Sequence, residues 1–88
     1  HWMNSSIRRL QSSALSSNSS SITLSFNRDV VQAQIDIYDT KGQCVRRTNG
    51  VSGNSFVIEK QNLPAGIYFI TVIQSGELLA TETIIFTE

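Results

Sequence analysis

From Ser21 onward, apolar and polar residues alternate. Ile22, Leu24 and Phe26 are separated by Thr23 and Ser25. Successive side chains of a strand point to opposite faces, so this run reads as a half-buried strand. Val31, Ala33, Ile35 and Ile37 repeat the pattern, with Gln32, Gln34 and Asp36 on the other face. Residues 55–59 are β-rich around Phe56, Val57 and Ile58, and residues 78–86 form a last β-branched run. Residues 67–73 are apolar on both faces, which predicts a central strand, either covered on both sides or paired between two neighbours. Residues 44–48 are weaker, carry Arg46 and Arg47, and read as an edge strand. No window sustains a helical period.

The punctuation agrees with strands. Gly42, Gly50, Gly53, Gly66 and Gly76 are expected between these runs, where turns need small residues or positive φ. Lys41-Gly42, Asn49-Gly50 and Ser75-Gly76 are hairpin-type pairs. Pro64 and Gly66 in Leu63-Pro64-Ala65-Gly66 suit the second and fourth positions of a type I turn. Strand centres recur about every 11 to 13 residues, a sandwich spacing. The expectation is an all-β sandwich of six or seven short antiparallel strands.

Upstream the character changes. Residues 5–21 hold nine serines in seventeen positions, with Ile7, Leu10, Ala14 and Leu15 as their only apolar residues. So little burial does not offset the entropy of ordering the segment. Residues 1–20 therefore read as a leader (His1, Trp2, Met3) and a Ser-rich linker or arm, with a first short strand near residues 7–11. Residues 21–88 read as the folded domain. Sequon matches at Asn4 and Asn18 are of a kind that Ser-rich segments produce by chance. The chain reads as a fragment, and no charged start feeding an apolar stretch marks a signal peptide within it.

Composition narrows the function classes. Lys plus Arg and Asp plus Glu are both 7, so net charge is zero and electrostatic capture of nucleic acid is not expected. No apolar run nears the ~20 residues of a membrane-spanning helix. Cys44 is the only cysteine and His1 the only histidine. One cysteine allows no internal disulfide, and without a further histidine the Ser-His-Asp and Cys-His chemistries have no base. Neither an enzyme nor a cofactor site is expected.

The charged residues have bland readings. Asp36, Asp39 and Glu59 could be imagined as acid, base or calcium ligand, but Asp36 is mid-strand and Asp39 leads into a turn, where aspartate serves the backbone. Arg46 and Arg47 point to opposite faces of a strand and cannot serve one surface together, so edge protection is expected of them. Cys44 reads as a small semi-buried hydrophobe. Tyr68 opens the most apolar strand after a turn, a place where a tyrosine hydroxyl bonds back to the backbone.

The order of these pieces resembles a known family. The stretch from Ile35 to Val45, Ile-Asp-Ile-Tyr-Asp-Thr-Lys-Gly-Gln-Cys-Val, is similar to the I-x-I-Y-D-x-x-G-x-x-V hairpin of the C-terminal sorting domain of the type IX (Por) secretion system of Bacteroidetes-type bacteria. Leu63-Pro64-Ala65-Gly66-Ile67-Tyr68-Phe69-Ile70 resembles its L-x-x-G-x-Y segment, and Ser75-Gly76-Glu77 with Thr83-Ile84-Ile85-Phe86 resembles its final hairpin. The likeness runs over residues 21–88.

The resemblance implies an Ig-like sandwich without catalytic function, at the carboxyl end of a cargo. Such a domain is recognised by the translocon and shuttle and removed by a sortase-like peptidase, with the cargo passing through the periplasm to the cell surface and joined there to an anionic lipopolysaccharide. The recognised or shape-fixing parts are expected at Pro64, Gly66, Tyr68, Gly76, Ile84, Ile85 and Phe86. Two features depart from the family pattern. No proline-bearing opening precedes the first strand, and Glu82-Thr83 stands where lysine is common. They bear on a first alternative, a retained domain that works in secretion or envelope signalling through a protein or lipopolysaccharide partner. A second alternative is an Ig-like adhesion or glycan-binding module. Against it, Tyr38, Phe56, Tyr68, Phe69 and Phe86 mostly fall on core positions by strand parity.

Overall fold

The computed structural model describes residues 10–16 and 20–87, and these form five antiparallel strands in one sheet. They are β1 (Ser12–Ser16), β2 (Ser21–Tyr38), β3 (Cys44–Glu59), β4 (Gly66–Gln74) and β5 (Glu77–Phe86). The order is β1-β2-β4-β5, with β3 paired to β2. The all-β expectation holds, but five strands are seen among the described residues rather than six or seven. The runs at residues 21–26 and 31–38 are one strand, β2, and those at 44–48 and 55–59 are one strand, β3. The first strand expected near residues 7–11 lies partly outside the described residues, and the strand that forms is β1.

The merging has a local cause. Val30 and Ala33 are both buried although three positions apart, while Val31 is exposed. Strict alternation would have buried Val31 instead. Gln32 between them has φ +50, and the β2–β3 register shifts on both sides of Val30. An extra residue of this kind bends a strand without ending it. The backbone N–H groups at the bend are taken by side chains: Val31 donates to Gln74 Oε1 at 2.8 Å and Gln32 to Ser52 Oγ at 3.1 Å. Across from the bend, Gly53 has φ +113 and faces Val30 in register. Gly50 and Gly53 therefore lie inside β3, not between strands, and serve bulges rather than hairpin turns.

The bend gives β2 two sets of neighbours. Its first part, residues 21–25, lies between β1 and the end of β3. Its last part, residues 34–38, lies between β4 and the start of β3. The sheet thus turns on itself, and the two ends of the order meet: the Leu10 N–H donates to the Leu79 carbonyl at 3.1 Å. The enclosed face carries Ile22, Leu24, Ile35, Ile37, Ile58, Ile70 and Val72, each at most 1% exposed. Burial of such a side chain contributes on the order of 2 kcal/mol. β4 pairs on both edges, with β2 and β5, as its apolar run predicts. Only one of its faces is covered, however, and Ile67 and Phe69 stay exposed.

Candidate functional site

The candidate residues fall at two ends of the β4–β5 hairpin. At one end, antiparallel register sets Gly66 opposite Phe86, Ile67 opposite Ile85 and Tyr68 opposite Ile84. Alternation turns Tyr68, Ile84 and Phe86 inward and Ile67 and Ile85 outward. The Tyr68 ring meets Phe86 edge-on, with centroids 6.0 Å apart at 66°, an arrangement favoured by the charge distribution of aromatic rings. The Tyr68 hydroxyl donates to the Pro64 carbonyl at 2.6 Å, the backbone bond expected from its place after the turn. The hydrogen-bonded turn itself lies earlier than expected. Leu63 N–H donates to the Lys60 carbonyl at 2.8 Å, with Gln61 at φ +48, and Leu63-Pro64-Ala65-Gly66 follows as a bend whose only recorded bond is the one from Tyr68. Gly66 leaves that bend at φ +147, a backbone setting that an L side chain resists.

Gly76 is not part of this cluster. It closes the opposite end of the hairpin, nine residues of β4 away, or roughly 30 Å at ~3.3 Å per residue. Ser75 and Gly76 have φ +53 and +77, the pair of positive angles of a two-residue hairpin turn whose twist matches the strands.

The outer face holds residues that the sequence reading passed over. Asp36 is mid-strand, as expected, but it is 1% exposed and far from solvated. Arg47 Nε donates to its Oδ1 at 2.9 Å, and Gln34 Nε2 and the Tyr38 hydroxyl donate to Oδ2 at 3.1 and 3.3 Å. The hydrogen bond to Asp36, and then its charge, raise the Arg47 pKa above its ordinary value. A signal for this pair was available. Counting outward from the Asp39–Gln43 turn places an arginine opposite Asp36, and the bulge near Tyr38 selects Arg47 over Arg46. The two arginines do go separate ways, since Arg46 donates to the backbone carbonyls of Glu59 and Lys60. Asp39 serves its turn, its Oδ1 accepting the N–H groups of Lys41 and Gln43, each at 2.9 Å. Cys44 is exposed rather than semi-buried.

The same outer face leaves Ile67, Phe69 and Ile85 at 45%, 42% and 56% exposure. Tyr38 pairs with Phe69 across β2 and β4. The parity argument that put the aromatics in the core thus holds for Tyr68 and Phe86, while Phe69 is turned outward. Beside the corner, Val45, Pro64 and Ile67 line an open groove of about 320 Å³.

Every acid that could have served a reaction is engaged in shape: Asp36 in an ion pair, Asp39 in a turn. The Tyr68 hydroxyl is bound to backbone. The class these features define is an all-β domain whose distinctive residues fix a surface. The family model for the secretion system C-terminal sorting domain matches residues 18–87, and the chain belongs to that family. The match indicates a C-terminal sorting signal for type IX secretion, in a family that is generally non-catalytic. It implies interaction with the type IX secretion machinery and export to the cell surface or the extracellular space. Among curated proteins, none matches the chain.

Proposed function

We propose that this domain acts by display: a rigid sheet presents the 64–68 corner and the 76–86 hairpin to a transport receptor of a Bacteroidetes-type cell. The observation that carries this reading is the direct pairing of residues 66–68 with residues 84–86, locked by Tyr68 to Pro64. A pre-ordered surface binds without the entropy cost of ordering a loose tail. Pro64, Gly66, Tyr68 and Phe86 hold the shape, Ile84 anchors the last strand in the core, and Ile85 lies on the presented face. Gly76 shapes the far turn.

In this reading the folded body is an Ig-like sandwich over residues 21–88, without enzymatic activity. Residues 1–20 are the tether to a cargo, and the tether lends β1 to the sheet. The cargo crosses the periplasm, the translocon and shuttle take the domain, and a sortase-like peptidase cuts within or before the tether, joining the cargo to anionic lipopolysaccharide.

The test is to remove residues 81–88 from the full protein and to locate it in cells. Loss of surface delivery is expected, and unchanged delivery overturns the proposal. A full-length variant that keeps the fold, Ile85→Ser, separates a lost surface from a lost structure.

A further inference from the structure

The arm meets the last strand at a seam. Leu10 is 4% exposed and belongs to the core. Its N–H donates to the Leu79 carbonyl at 3.1 Å. Gln11 exchanges bonds with Asn27, its N–H donating to Asn27 Oδ1 at 3.1 Å and its carbonyl accepting the Asn27 N–H at 3.0 Å. Ser12 Oγ donates to Glu82 Oε2 at 3.0 Å. Residues 12–16 then pair along residues 22–26 of β2. Between the arm and β5 a groove of about 430 Å³ stays open, lined by residues 10–12 and 78–82. The arm is fastened on both sides, but the seam is not a filled one.

We propose that residues 10–16 are a releasable strap, docked over the start of β5 and able to leave without unfolding the body. Of the eighteen buried apolar residues in the core, only Leu10 belongs to the strap. Release removes one anchor and one edge strand, while the pairings of β2 with β3 and β4, and of β4 with β5, remain. Docking ties the tether to the hairpin and keeps its backbone from a peptidase, which needs a free extended segment. Cutting within the strap then follows the population of its open form. Release also uncovers residues 78–82 of β5. The inference rests on the reading of residues 1–20 as a tether, and it adds a structural gate to processing there.

Hydrogen exchange on the full chain, read by mass spectrometry, tests it without any export assay. Residues 10–16 are expected to exchange about tenfold or more faster than β4, through an opening that low urea does not accelerate. Leu10→Asp should speed strap exchange by at least another ~tenfold and open residues 10–16 to proteinase K, with β4 protection unchanged. Ser12→Ala, which deletes only the contact to Glu82, should act the same way by about threefold. Exchange of the strap in step with β4 in the unaltered chain overturns the proposal. So does a Leu10→Asp chain that loses protection throughout, or a Ser12→Ala chain whose strap is unchanged. Failure here leaves the export reading standing, and unchanged delivery after removal of residues 81–88 leaves the strap measurement standing.

Discussion

The Tyr68 hydroxyl reaches back four residues to the Pro64 carbonyl, at 2.6 Å. The bond closes the corner through which the chain enters β4, and its ring rests on Phe86 of the last strand. Tyr68→Phe keeps the ring and removes the donor, so it should cost about 1 kcal/mol. Tyr68→Ala also empties the core site and should cost about 3–5 kcal/mol. Urea denaturation checks both, as a lowered midpoint at constant slope. A Tyr68→Phe midpoint equal to that of the parent chain would show that the bond adds nothing.

Asp36 and Arg47 make the second test. A buried carboxylate left without its cation is strongly unfavourable, whereas removing both charges together is often neutral or better. Arg47 is about half exposed, which weakens the Coulomb part of the pair. The expected order of thermal stability is therefore parent chain close to the double variant Asp36→Leu/Arg47→Leu, with Arg47→Leu alone clearly below both. A double variant less stable than the sum of the singles would contradict this account. The raised Arg47 pKa gives the sign with pH. The pair's contribution is complete below the ordinary arginine range and is lost only as pH rises through the higher folded value. No loss from this group is expected across neutral and mildly alkaline pH.

The hairpin turn supplies a third. Gly76 has φ +77 and open space where a Cβ would point, so only backbone conformation opposes a side chain there. Gly76→Ala should cost about 1–2 kcal/mol from that strain alone, and Gly76→Asn less, since asparagine tolerates the left-handed region. Denaturation midpoints of the two variants check the ranking. Equal midpoints would mean that the turn adopts another geometry.

Much of this architecture was legible because alternation is a local signal. Ile22, Leu24 and Phe26, and again Ala33, Ile35 and Ile37, declare their faces by spacing alone. What was not legible depends on distant partners. Val30 and Val31 are adjacent valines, and nothing in their neighbourhood says which one enters the core. The choice is made by Gln74 and Ser52, which take the N–H groups at the bend. The Ser-rich arm looked too polar to join the sheet, but a ready edge of β2 supplies its backbone bonds and the core accepts Leu10. The candidate residues were legible as turn and strand-end positions. Their division into a cluster around Tyr68 and a distant Gly76 required the register. Asp36 was visible as a charge in a strand, but its burial followed from Arg47, eleven residues away across a bulged turn.

Ile84 and Ile85 separate structure from recognition most directly. They are neighbours of the same type on the same strand, 3% and 56% exposed, facing Tyr68 and Ile67 respectively across the pair. Ile84→Ala removes core volume and should destabilise by about 2–5 kcal/mol. Ile85→Ser touches only the outer face, and its stability should stay within about 0.5 kcal/mol of the parent chain. If the presented face is what transport reads, Ile85→Ser in the full protein should reduce surface delivery while the isolated domain melts normally. Ile67→Ser, directly opposite, should do the same. Ile84→Ala should reduce delivery only as far as it unfolds the domain, and restoring its stability with a compensating change elsewhere should restore delivery. Normal surface delivery of a double Ile67→Ser/Ile85→Ser variant would place recognition elsewhere on the molecule, with the groove beside Val45 and Pro64 as the next surface to change.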